Sequence, residues 1–84
     1  MNWLYHKKEF KAILKRNDNE DDEFGSVEAT KAELIPYLKQ EPCFKLLPEE
    51  VLGKLEEATT FHGFNSALNP VYDYADERGI WLGI

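Results

Sequence analysis

The sequence predicts a mainly α-helical fold: one small domain, residues 1–84, built from about four helices with a C-terminal segment able to form a short β-strand. Apolar residues recur at helical spacing in four separate segments, and several of these segments carry helix-start signals. A chain of 84 residues with 43% hydrophobic side chains supports a single, thin core.

The first predicted helix spans about residues 2–16. Its apolar side chains recur at helical spacings, and lysines lie between them on the other face, which is typical of an amphipathic helix. The apolar positions are Trp3, Leu4, Phe10, Ile13 and Leu14.

An acidic loop is predicted at residues 17–26. The like charges between Asn17 and Glu23 repel one another and interrupt the helical periodicity, and Gly25-Ser26 follows. We therefore expect an exposed connection here.

The second helix is predicted over about residues 30–40. Thr30 and Glu33 have the spacing of a capping box, which places the helix start at Thr30. Pro36 then falls near the second turn, so that either the helix kinks or it begins later.

Two further helices are predicted over about residues 48–59 and 66–78. Pro48 suits the first position of the earlier one, and Ser66 or Asn69 can cap the later one, with Pro70 in its first turn. Gly79 offers a left-handed residue after the last helix, and residues 80–84 form an apolar tail.

Charge is divided unevenly along the chain. Residues 1–16 carry five basic side chains and one acidic one, whereas residues 17–84 carry five basic and fifteen acidic ones, giving the net charge of −6. A negative body repels phosphate and anionic lipid, so direct nucleic-acid or membrane binding is disfavoured except through the basic first segment. The expected partner is a protein with a basic surface. No apolar window of about 20 residues occurs.

Chemical motifs argue against catalysis. Cys43 is the only cysteine, so no internal disulfide can form and a reducing, cytoplasmic location is expected. His6 and His62 have no metal-ligand spacing, and the scattered glycines form no phosphate-binding loop. The sequence therefore predicts no enzyme activity, no cofactor and no metal site.

Calcium binding is the metal hypothesis that the acidic loop raises. Setting Asn17 as position 1 of an EF-hand loop places Asn19, Asp21 and Glu28 at ligand positions. Position 1 lacks a carboxylate, and position 6 is Asp22 where glycine is needed. Calcium binding is thus the third hypothesis.

Two surfaces are candidates for binding a partner. The first is the acidic loop with Asp18, Glu20, Asp21, Asp22 and Glu23, unless these carboxylates are merely solvated or pair with the lysines of the first helix. The second is the aromatic C-terminal end with Tyr72, Tyr74 and Trp81, unless these rings only complete the core. Pairing of the loop with its own helix would favour the aromatic end.

The function expected from these features is stoichiometric: a small acidic protein-binding module that serves as an adaptor, an inhibitor or a complex subunit. The alternative is a nucleic-acid mimic of the kind phages and mobile elements use to inhibit a DNA- or RNA-handling protein. The identity of the partner and the oligomeric state stay open.

Overall fold

The computed structural model describes residues 3–83, which form four α-helices and one two-stranded parallel sheet. The helices are α1 (Lys8–Arg16), α2 (Glu23–Gln40), α3 (Glu49–Glu57) and α4 (Phe61–Glu77), with a 3₁₀ turn at Pro42–Phe44 between α2 and α3. The strands are β1 (Tyr5–His6) and β2 (Ile80–Trp81). The predicted mainly α-helical class is confirmed, and β2 is the short C-terminal strand.

One hydrophobic cluster joins all four helices and β2. α1 packs on α2, α3 contacts both α2 and α4, and β2 lies against α4. Burying each of its larger side chains contributes roughly 1.5–3 kcal/mol, which is what holds so small a chain together. The most fully buried large side chains are Phe10, Val27, Leu34, Leu38, Leu55, Leu68 and Val71.

The N-terminal segment departs from the predicted helix of residues 2–16, because α1 begins only at Lys8. Tyr5 and His6 pair with Ile80 and Trp81 as a parallel strand instead. The amide of Lys7 donates to the carbonyl of Trp81 at 2.7 Å, which extends the pairing. The sheet therefore brings the two ends of the described chain together; position 2 lies outside the described residues.

The second helix begins at Glu23, seven residues before the predicted start. Asp22 is its N-cap and accepts a hydrogen bond from the amide of Gly25 at 3.1 Å. The Thr30 hydroxyl donates instead to the carbonyl of Ser26 one turn back, so the capping-box interpretation was wrong. The connection between α1 and α2 is correspondingly short, residues 17–22.

The last helix also begins earlier than predicted, at Phe61. Its N-cap is Thr60, which accepts from the amide of Gly63 at 3.0 Å, and neither Ser66 nor Asn69 has that role. Pro36 and Pro70 lie inside α2 and α4, with exposed rings. Burial of the neighbouring apolar residues offsets the hydrogen bond that each proline removes.

The C-terminal tail packs back onto the core. Gly79 follows α4 with φ of 70°, the left-handed conformation predicted for it. Ile80 and Leu82 are then buried, whereas Trp81 is half-buried. Ile84 of the predicted tail lies outside the described residues. Within residues 3–83, no helix has both the length and the apolar character that crossing a membrane requires.

Candidate functional site

Two of the five predicted acidic-loop residues cap helices. Asp22 is the N-cap of α2, and Glu23 lies in the first turn of that helix. The carboxylate of Glu23 accepts a hydrogen bond from the amide of Phe61, the first residue of α4. A carboxylate is favoured there because the amide end of a helix is positive. Both side chains therefore contribute to the fold and are less available to a partner.

The other three loop carboxylates are exposed. Asp18 borders a cavity of about 190 Å³ between α1, α2 and α4. Glu20 and Asp21 lie in the turn itself, where the side chain of Asn19 accepts from the amide of Asp21 at 3.1 Å. The turn is anchored by the buried hydroxyl of Ser26, which bonds the backbone of Asn19.

The lysines of α1 do not neutralise this loop. Across the part of the chain that the structure describes, no ion pair joins residues 18–23 to a basic side chain. Lys7, which directly precedes α1, pairs with Glu41 at 2.8 Å, and this hydrogen bond raises the pKa of Lys7. Arg16 bridges Glu9 and Glu33. The exposed loop carboxylates therefore face solvent without an ion pair to any described basic side chain.

The residues proposed as calcium ligands are not grouped as an EF-hand loop would require. Asn19 and Asp21 lie in the turn, whereas Glu28 is inside α2 and pairs with Lys31. Among residues 3–83 there is no cluster of three or more acidic, histidine or cysteine side chains able to hold a metal ion.

Tyr74, which the sequence placed in the aromatic surface, braces α4 against the 3₁₀ turn. Its hydroxyl donates to the carbonyl of Cys43 at 3.0 Å, and its ring stacks on Phe44 with centroids 6.0 Å apart. The guanidinium carbon of Arg78 lies 4.4 Å from the centre of the same ring. Tyr74 is therefore engaged by Phe44 and Arg78 at its ring and by Cys43 at its hydroxyl.

Tyr72 and Trp81 line a cleft at the C-terminal end of α4. We call this the aromatic cleft; it has a volume of about 300 Å³. The Tyr72 ring packs edge to face against Phe10, with the ring centroids 5.8 Å apart, and burial raises the pKa of the Tyr72 hydroxyl. The ring centroids of His6 and Trp81 lie 5.6 Å apart. The lining residues are Trp3, Tyr72, Asp73, Ala75, Asp76, Ile80, Trp81 and Leu82.

A hydrophobic groove adjoins the cleft and shares Asp76 and Ile80 with it. It has a volume of about 890 Å³ and runs between β1, the 3₁₀ turn and the end of α4. Leu4, Tyr5 and Leu46 line it with 74%, 49% and 66% of their surfaces exposed. Of the four large hydrophobic residues that the described chain leaves exposed, only Phe24 lies elsewhere.

The structure also places the one cysteine and the two histidines that the sequence analysis considered. Cys43 is half-buried, and burial raises the pKa of its thiol, which disfavours the nucleophilic thiolate. His6 and His62 are both exposed, on β1 and in the first turn of α4 respectively.

The predicted site residues were therefore only partly brought together, and some members of the site were not predicted. Tyr72 and Trp81 share the cleft, but Asp73, Asp76 and Leu46 were absent from the predicted set. A usable signal was available for the two aspartates: the i, i+4 spacing from Tyr72 places Asp76 beside that ring on a helix, and the i, i+3 spacing places Asp73 next to Asp76. For Leu46 there was none, because its exposure depends on tertiary packing.

Comparison of the chain with protein-family models, with curated proteins and with solved structures found no match. The candidate function therefore rests on the acidic loop, the aromatic cleft and the hydrophobic groove.

Proposed function

We propose that this chain is a small acidic protein-binding module, which acts stoichiometrically as an adaptor, inhibitor or complex subunit on a partner protein with a basic surface. The supporting observation is that Leu4, Tyr5 and Leu46 all line the hydrophobic groove while exposed to solvent. Clustered exposed apolar side chains rimmed by charge are typical of protein interaction sites. Isolated ones, such as Phe24, are not.

The rim of the groove supports a protein partner more than a small ligand. Asp76, Glu77, Lys45 and Arg78 border the apolar centre, so charged groups surround a surface that can be desolvated. With a net charge of −6, the protein as a whole attracts a basic surface at long range. In this proposal the groove forms the direct contact with the partner, and the overall charge of the protein attracts the partner before contact.

The test is quantitative capture from cells of the organism that encodes the chain, followed by titration of the purified partner. Leu46→Ser removes an exposed apolar side chain from the groove and should weaken binding at least tenfold, since such anchors carry much of the affinity. Phe24→Ser is the matched control, because Phe24 is also largely exposed, at 59%, but lies at the start of α2. Its affinity should stay within twofold of the unmodified protein.

If both variants lose binding equally, or if neither variant loses binding, the groove is not the interface. Calorimetric titration of the purified partner should give a fixed molar ratio. Turnover of the partner instead of stable binding would contradict a stoichiometric role.

Nucleic-acid mimicry is the alternative function, and the loop carboxylates without an ion pair among the described residues support it. Glu20 and Asp21 are exposed, form no ion pair with the described basic side chains and cap no helix. A mimic would lose its target when these two charges are removed, whereas groove binding would survive. Glu20→Gln with Asp21→Asn therefore separates the two functions in the same titration.

A further inference from the structure

We infer that the aromatic cleft receives an arginine side chain of the partner protein. This inference rests on the proposed function, because it names the chemistry by which a basic partner would be recognised next to the hydrophobic groove. Trp3, Tyr72 and Trp81 supply three aromatic side chains, and Asp73 and Asp76 supply two carboxylates, around one space.

The aromatic residues favour a cation. The face of an indole or phenol ring attracts a guanidinium or ammonium group within about 6 Å of its centre, and tryptophan does so best. The protein already contains such a contact, since Arg78 lies 4.4 Å above the ring of Tyr74. Neither Arg78 nor Tyr74 lines the aromatic cleft, so this internal contact does not occupy the cleft.

The carboxylates define the charge of the ligand. Asp73 and Asp76 are exposed on one face of α4, and neither forms an ion pair within residues 3–83. Asp76 lies in the last turn of α4, at the negative end of that helix, where a carboxylate is unfavourable. A cation in the cleft would compensate both carboxylates.

The shape and hydration of the cleft favour arginine over lysine. A volume of about 300 Å³ is at the lower end of small-ligand pockets and suits a single inserted side chain. Guanidinium is planar, is more weakly hydrated than ammonium, stacks on aromatic rings and donates to carboxylates in pairs. It can therefore satisfy the rings and the aspartates at once.

The inference can be tested without the partner, using N-acetyl-arginine methylamide and its lysine and citrulline counterparts as probes. The chain has two tryptophans, so the indole region of a ¹H–¹⁵N spectrum contains one signal for each. The arginine probe should shift both indole signals saturably and bind at least about threefold more tightly than the lysine probe. Citrulline keeps the shape of arginine without its charge and should not bind.

Charge-neutralising variants locate the site. Asp73→Asn with Asp76→Asn should weaken arginine binding about tenfold, without lowering the thermal midpoint. Glu20→Gln with Asp21→Asn is the matched control, because it removes two charges from the acidic loop, and it should change binding less than twofold. An equal effect of the two double variants, equal binding of citrulline, or lysine binding as tight as arginine would overturn the inference.

These outcomes are independent of the partner experiment. If the arginine probe fails but Leu46→Ser abolishes partner binding, only the cleft inference is wrong. If the probe binds while the groove variants leave partner binding intact, the groove as the interface is wrong.

Discussion

Two tyrosines show how single residues contribute to this small core: the hydroxyl of one has no hydrogen-bond partner among the described residues, and the hydroxyl of the other has one. The hydroxyl of Tyr37 is buried, and no group in residues 3–83 forms a hydrogen bond with it; burial also raises its pKa to about 12. The hydroxyl of Tyr74 has a partner in the carbonyl of Cys43. A buried polar group without a partner costs free energy that a bonded one recovers.

Replacing each tyrosine by phenylalanine should therefore change stability in opposite directions. Tyr37→Phe should raise the free energy of unfolding by up to about 1 kcal/mol, because it removes an unsatisfied buried oxygen. Tyr74→Phe should lower it by about 1 kcal/mol, because the carbonyl of Cys43 loses its donor. Urea denaturation of the two variants measures both values, and the same sign for both would contradict the assigned roles.

The contact between Arg16 and Glu33 joins α1 to α2 and should be visible as a pH effect. Hydrogen bonds from Arg16 and then from Asn17 lower the pKa of Glu33 from its usual 4.5. A lowered pKa means that the pair stabilises the fold above about pH 4.5 and that this contribution is lost as the pH falls through the lowered value.

Arg16→Gln should move the titration midpoint of Glu33 upward, towards its ordinary value. Carboxyl ¹³C shifts followed from pH 7 to pH 2 report this midpoint directly. A Glu33 midpoint that is the same in the variant and the unmodified protein would show that the contact does not form in solution.

At the scale of elements, the existence of four helices was readable from the sequence, but the starts of α1, α2 and α4 and the strand β1 were not. The predicted third helix agrees with α3 to within two residues, because Pro48 and the apolar stripe give local signals. α2 was shortened in the prediction because Gly25 and Ser26 look like helix breakers. In the structure Gly25 donates to the N-cap and Ser26 is buried against the turn. Both contacts are local in the chain, but the apolar periodicity used to place the helix carries no signal for them.

The strand β1 could not be recognised for a different reason. Tyr5 pairs with Ile80, at the other end of the chain, and a two-residue strand has no periodicity of its own. The aromatic cleft depends on this pairing, since Trp3 precedes β1 and Trp81 lies on β2. Composition drew attention to Tyr72 and Trp81, but only the fold places them beside Asp73 and Asp76.

Gly79 controls how α4 ends and where β2 begins. Its φ is 70°, and an added Cβ would lie 3.3 Å from the Cγ of Leu4. Gly79→Ala should therefore lower the free energy of unfolding by about 1–2 kcal/mol. Gly53→Ala is the matched control: Gly53 lies inside α3 with no atom within 4 Å of an added Cβ, so alanine should add about 0.5–1 kcal/mol.

Thermal or urea unfolding of the two alanine variants compares them directly. Destabilisation by Gly53→Ala, or no effect of Gly79→Ala, would contradict the helix boundaries described above.

For the molecule as a whole, the fold separates two chemically different ends. The acidic loop and the caps of α2 and α4 lie at one end of α4, which is about 25 Å long. The hydrophobic groove and the aromatic cleft lie at the other end, beside Gly79 and the sheet. Because Asp22 and Glu23 cap helices, the loop can contact a partner mainly through the charges of its remaining carboxylates. The opposite end offers apolar surface, aromatic rings and charge together.

The most direct test of the protein-binding proposal is an amide and indole chemical-shift map of the ¹⁵N-labelled protein in complex with its purified partner. We expect the largest changes at Leu4, Tyr5, Leu46 and the indole of Trp81, with residues 17–23 little affected. Changes confined to residues 17–23, with the groove and cleft signals unmoved, would contradict the account and favour the acidic loop as the binding surface.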